Sequence, residues 1–290
     1  MKSKKINYKY KCKYGLFILT LLLLSSSTKA ITKAELDSIL DNFYSNNSEL
    51  LEEWLGRIEP VVLNGDTLPR DRYETDIYGN VTLLEMNHMR VSDPNCLHGI
   101  ESCKFLKELG IISGCELGIE TIDLSPLKQC VLLSDINLSH NYFEFVDLSP
   151  LESKKMLFSL YLSHNNLDSI DLTPLQKCTW LNWLHLDNNR LKDLDLSPLA
   201  GCEYLTRLQI GSNELTELDL TPLKSCANLR EIHIYQNLLT HINFEPIWDL
   251  DSLDYLDVRG NDLDSASCHQ INIFDDTHPN CRVLYDCGCF

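Results

Sequence analysis

The sequence predicts an α/β solenoid, a stack of short parallel strands joined by short helices or 3-10 turns, and three observations predict it. Six asparagines, Asn141, Asn165, Asn189, Asn213, Asn237 and Asn261, recur at an interval of 24 residues. Each closes a phrase of the form LxxLxLxxN, headed by Leu133, Leu157, Leu181, Leu205, Leu229 and Leu253. Between the phrases stands a second constant string: IDLSPL at Ile122, VDLSPL at Val146, IDLTPL at Ile170, LDLSPL at Leu194, LDLTPL at Leu218 and INFEPI at Ile242. A unit this short cannot bury its own apolar face, so its neighbours must cover it.

Within LxL, side chains alternate across the chain, so the two apolar residues point inward and the residue between them points out. One short parallel strand per unit follows. The asparagine amide donates and accepts, which suits it to stacked turns whose backbone groups lack water. In the second string, Ser or Thr is expected to cap a helix or 3-10 turn with proline in its first turn. Three residues before each leading leucine stands Cys103, Cys130, Cys178, Cys202 or Cys226, replaced by Lys154 and Leu250 in two units. Free cysteine behaves as a small core hydrophobe, and these are read as packers.

These phrases resemble the leucine-rich repeat family. The resemblance implies a horseshoe with a concave parallel β-sheet and short convex helices or 3-10 turns, and a role in noncatalytic protein binding. It covers residues 81–263, about eight repeats once the weaker copies VTLLEM at Val81 and LKELGI at Leu106 are included.

The ends carry different signals. Residues 1–30 combine seven lysines and no acid with an apolar run from Leu16 to Leu24 and a small-x-small site at Thr28-Lys29-Ala30. This predicts a secretory signal peptide, with an uncleaved anchor as the alternative; a span would need about 20 apolar residues. Residues 31–80 read as a helical cap with an opening hairpin: Leu36, Ile39, Leu40 and Phe43 form one stripe, Leu51, Trp54, Leu55 and Ile58 another, and a turn at Gly79-Asn80 precedes the first strand. Residues 264–290 form a cysteine-rich cap in which Cys268, Cys281, Cys287 and Cys289 predict two disulfides with open connectivity. A zinc site using His269 or His278 is the rival there, although the spacing fits no standard finger. Cys96 and Cys115 form a further candidate pair.

The formal net charge is -17, and loss of the seven lysines of residues 1–30 takes it to -24. Nucleic acid phosphates and anionic membranes repel such a chain, which leaves basic proteins or cations as its electrostatic partners. Five convex aspartates, Asp123, Asp147, Asp171, Asp195 and Asp219, either accept backbone N–H bonds or hold calcium, and the first reading is favoured.

No phosphate loop, zinc-protease helix or nucleophile elbow occurs, so no catalysis, cofactor or metal is predicted. The outward strand positions nominate a binding stripe of Tyr161, Trp183, His185, Asp187, Arg207, Glu231, His233, Tyr235, Tyr255 and Asp257. Tyr, Trp and Arg dominate measured binding hot spots, and acidic neighbours steer a basic partner. The expected function is that of an exported protein binding a protein ligand on its concave face. The rivals are a structural or calcium-dependent surface protein acting by self-association, and an acidic inhibitor-type horseshoe.

Overall fold

Leucines at fixed offsets and one strand per repeat give a single-layered solenoid. The computed structural model describes residues 62–63, 66–67, 73–75, 80–88, 92–115 and 118–287. All of them fall in the second of two units, residues 60–290. The expected signal peptide, the helices of residues 32–58 and Cys289 lie outside the described residues.

Ten strands form the main sheet: β3 (Tyr73–Thr75), β4 (Val81–Glu85), β5 (Glu108–Gly110), β6 (Asp135–Asn137), β7 (Ser159–Tyr161), β8 (Trp183–His185), β9 (Arg207–Gln209), β10 (Glu231–His233), β11 (Tyr255–Asp257) and β12 (Arg282–Leu284). They stand in sequence order, and all neighbours are parallel except β3, which pairs antiparallel with β4. A two-stranded antiparallel sheet, β1 (Val62–Leu63) with β2 (Asp66–Thr67), precedes it.

One repeat shows the construction. Leu157, Leu160, Leu162, Leu167, Leu175 and Cys178 have no solvent exposure, and each buried leucine contributes ~1.5–3 kcal/mol. Asn189 donates to the carbonyl of Leu186 at 2.9 Å in its own repeat and to that of Leu162 at 3.0 Å in the repeat before. Its Oδ1 accepts from the Leu167 amide at 3.1 Å. Asn165, Asn213, Asn237 and Asn261 repeat this pattern, and Asn141 accepts from Gly114 and Cys115 instead. The first repeats lack the asparagine, and Asn87 accepts the Ile112 amide at 2.7 Å in its place.

The convex side is made of 3-10 turns of three to five residues, such as Thr173–Lys177 and Ser197–Gly201. Their capping differs from expectation. Ser or Thr opens five of these turns and does not cap them. The aspartate two residues earlier accepts their N–H: Asp123 from Ser125, Asp147 from Ser149, Asp171 from Thr173, Asp195 from Ser197 and Asp219 from Thr221, each at 2.8 Å. A carboxylate two residues back reaches that amide in an Asx turn, whereas the hydroxyl bends back onto the carboxylate, as Ser197 does to Asp195 at 2.7 Å. Bonding from Thr173 and Thr221 holds the Asp171 and Asp219 carboxyls below their usual range. The like charges thus sit on backbone donors.

The cysteine column is buried, and its exception is instructive. Lys154 is 2 % exposed, yet its ammonium donates to the carbonyls of Lys128 and Cys130 at 3.0 Å each, groups that a thiol satisfies only weakly. Burial pushes its pKa down.

At the far end the chain departs from the repeat. Helix α1 (Ser265–Thr277) is capped by Asp264, which accepts from Ser267 at 2.8 Å, and the following β12 adds a last parallel strand. Cys268 on α1 is bridged to Cys287 beyond β12, with Cα atoms 5.8 Å apart. The second bridge expected at this end does not form at Cys281. That residue turns into the core between α1 and β12 and stays a buried thiol, as do Cys96 and Cys115. The zinc alternative loses its ligands: two of the thiols are oxidised together, and the His278 ring lies between the carbonyls of Phe274 and Trp248, at 2.9 Å from each.

Two predictions follow from the buried amides and thiols. Asn189→Ala removes four bonds, the longest of them to Asp187, and leaves buried backbone groups unpaired, so stability in urea denaturation should fall by about 2–4 kcal/mol. Burial pushes Cys115, Cys130, Cys178, Cys226 and Cys281 from 9.0 to about 11 and Cys96 and Cys202 to about 12. The unfolded thiols therefore lose protons first as pH rises, so the stability they contribute is complete below pH 9.0 and is lost above it. Denaturant midpoints recorded from pH 8 upward should decline, and Ala at Cys178, Cys202 and Cys226 should flatten the decline.

Candidate functional site

The register places the outward side chains in two rows. The first runs Glu108, Asp135, Ser159, Trp183, Arg207, Glu231, Tyr255 and Arg282; the second runs Glu85, Gly110, Asn137, Tyr161, His185, Gln209, His233 and Asp257. Three zones result.

Over β4 to β7 lies a hollow of about 400 Å³ lined by Glu85, Glu108, Asp135, Asn137, Ser159 and Tyr161. Gly110 offers no side chain to fill it. Ser134 and Ser159 both donate to Asp135. Glu85 and Glu108 belong to the two repeats without the asparagine frame, so the outward positions counted from that frame do not include them. The leucine spacing of VTLLEM and LKELGI was the signal that would have found both.

The middle zone is aromatic. The Tyr161 ring meets His185 edge-on at 4.7 Å and Trp183 at 6.3 Å, and Trp183 meets Phe158 at 5.7 Å. Trp183 is 37 % exposed. Burial pushes the His185 pKa down to about 4, with Asp187 pulling it up and Arg207 pushing it further down. Its Nε2 is buried and makes no hydrogen bond. His185 is therefore a neutral ring at physiological pH.

Beyond it the charges are paired. Arg207 donates to Glu231 at 2.5 Å, and Glu231 lies 3.2 Å from His233. Burial works against the Glu231 carboxylate, but these bonds outweigh it and hold its pKa down. His233 packs on Tyr255 at 4.8 Å, and Arg282 lies over Tyr255 at 5.8 Å. Tyr235 leans back over Gly211, where an added Cβ would meet its ring at 2.5 Å.

Two nominated residues are placed otherwise than expected. Asp187 is 7 % and Asp257 3 % exposed. Asp187 accepts from Ser163 at 2.5 Å and Asn188 at 2.7 Å, while Asp257 holds Arg259 at 2.7 Å. Carboxylates engaged in this way orient neighbours and do not project toward a partner, which corrects the steering role given to them. Among the described residues no group of three His, Cys, Asp or Glu side chains is arranged to hold a metal ion, and no helix is long and apolar enough to cross a membrane.

The depressed His185 pKa has a measurable consequence. The unfolded ring binds a proton near 6.5 while the folded one refuses it until about 4, so its contribution is present above 6.5 and lost on acidification through that window. Denaturation midpoints should drop between those values, and His185→Gln should remove that part of the slope.

Residues 203–263 match the family profile described as leucine rich repeat. In structure the chain is similar to an internalin C2 from Listeria monocytogenes, with 24% identity over 71% of this chain and 81% of that one and a TM-score of 0.57. It is also similar to a leucine-rich repeat protein from Leptospira interrogans, with 18% identity over 70% of this chain and a TM-score of 0.49, and it spans 60% of that chain's length. No curated protein matches the chain in sequence. The likeness to the internalin bears on the fold alone. The matched residues 203–263, the asparagine-closed repeats and the ten-strand sheet among the described residues show a leucine-rich repeat solenoid, a fold that serves as a scaffold for protein–protein interaction.

Proposed function

We propose that the chain is exported and binds a protein ligand with a basic surface on its concave face, through the aromatic zone and the acidic hollow beside it. The observation that carries this is their adjacency: Tyr161 belongs both to the ring cluster with Trp183 and His185 and to the lining of the hollow. A partner aromatic or aliphatic side chain would pack on the rings, and a lysine or arginine of the same partner would enter between Glu85, Glu108 and Asp135. Arg207, Glu231, His233 and Tyr255 would form a pre-set rim, already ordered by their mutual bonds and so losing little entropy on binding. The calcium-dependent alternative has less support, because each convex aspartate already accepts a backbone N–H.

Export is supported by the basic start, apolar run and small-x-small site of residues 1–30. N-terminal sequencing of native protein should begin at Ile31, and a start at Met1 in cytosolic protein would overturn it. For binding, partners captured by the wild-type chain should be lost by the Tyr161→Ala, Trp183→Ala double variant, whose affinity should drop at least about a hundredfold. Glu85→Gln with Glu108→Gln should instead slow association and weaken its salt dependence. Equal affinity in all three proteins would remove the concave face from consideration.

A further inference from the structure

Among the described residues, five of the eleven exposed large apolar side chains share one kind of position. Phe105, Val131, Met156, Trp180 and Tyr204 are 46 to 65 % exposed, and all lie in the two-residue turns that lead from the convex side into a strand. Seven such turns are equivalent: Lys104-Phe105, Val131-Leu132, Lys155-Met156, Thr179-Trp180, Glu203-Tyr204, Ala227-Asn228 and Asp251-Ser252. They form one rim of the sheet, six strand spacings or about 29 Å long. The stacking of Trp180 on Tyr204, with centroids 5.3 Å apart and planes 17° from parallel, shows that second positions of adjacent turns touch.

The first positions of these turns read Lys, Val, Lys, Thr, Glu, Ala, Asp. Reversed about the central Thr179-Trp180 turn, the string is its own charge complement. Lys104 maps onto Asp251, Val131 onto Ala227, and Lys155 onto Glu203. The residues that follow the leading leucines extend the pattern, with Lys107 mapping onto Asp254, although Asp254 already meets Arg230 at 3.1 Å.

We propose that this rim is an interface between two copies of the chain, related by a twofold axis through the Trp180 turn. In a twofold interface residue i meets j while j meets i, so its patch must be self-complementary. That is the property this string has and that a partner of different sequence would not require. An axis lying in the plane of the rim and passing radially through Trp180 lays the curved row of turns onto itself in reverse order. Lys104 then faces Asp251 of the second copy, Lys155 faces Glu203, and Met156, Trp180 and Tyr204 close the centre. Stacked rings present their edges, which suits packing against another apolar ridge better than stacking on a sugar. The strip is narrow and the chain's net charge of -17 opposes association, so the dimer should be weak, with a Kd in the micromolar range. This inference is independent of the concave binding reading.

Sedimentation equilibrium of the full chain tests it. Wild type should be a dimer at tens of micromolar and a monomer on dilution, and Trp180→Ala should raise the Kd at least about tenfold. Lys155→Glu and Glu203→Lys should each be monomeric alone, since each sets like charges together twice. An equimolar mixture of the two should form a heterodimer, because every contact is then of opposite sign, and the double variant should pair with itself again. All three positions are exposed, and circular dichroism should confirm unchanged folding. A wild-type monomer at about 100 µM would overturn the proposal and leave the ridge to a partner of different sequence. A dimer that these substitutions leave untouched, or single variants that do not recover on mixing, would overturn it by placing the contact elsewhere.

Discussion

The asparagine carboxamide that joins consecutive repeats is the interaction on which the rest of this structure depends. After each strand the chain must turn against a buried core, and its backbone groups need partners there. The turn enters the left-handed region at His88, Ser113, His140, His164, Asn188, Ser212, Gln236 and Gly260, seven of which are not glycine. A left-handed conformation costs such residues roughly 1–2 kcal/mol each. From His140 onward an asparagine at the next position offsets this; Asn189 bonds a carbonyl and an amide of the preceding repeat and a carbonyl of its own. Local strain is thus repaid only when a neighbour is stacked in register, which couples folding of one repeat to the next.

That coupling makes the solenoid one-dimensional, and both exposed ends become liabilities. The last repeat is covered by α1 and β12, and the Cys268–Cys287 bridge holds the segment carrying both against the sheet. Phe274 and Ile271 of α1 have no exposure, so the cap seals by apolar packing and the disulfide limits how far it opens. At the other end β3 reverses direction and pairs with β4, which ends the run of parallel strands.

The scaffold was legible in the sequence because its determinants are local and recur: the 24-residue interval, the alternation within LxL and the proline at each convex turn all survive as one-dimensional patterns. What was missed depends on contacts between repeats. The hydroxyl and the carboxylate of DLSPL compete for one amide, and only geometry shows that aspartate wins. Asp187 and Asp257 occupy outward positions but are covered by Ser163, Asn188 and Arg259 from neighbouring positions. Tyr235 leans over Gly211 because a residue 24 positions earlier has no side chain. The rim string is not legible in the sequence alone, because its members precede the leucine phrases and only the equivalence of the turns lines them up.

The cysteines resolve a conflict that composition raises. A tail disulfide and a column of unpaired thiols belong, by usual reasoning, to opposite redox conditions. Oxidation and exchange proceed through the thiolate, and burial raises the thiol pKa values in this column to about 11 or 12. At neutral pH the thiolate fraction is then very small, and Cys130, Cys178, Cys202 and Cys226 have no exposure to solvent. Cys268 and Cys287 differ in lying at the edge of the core, where α1 and the strand it follows bring them together. Pairing is therefore decided by position in the solenoid, so the same chain sustains a bridge at its end and inert thiols along its length.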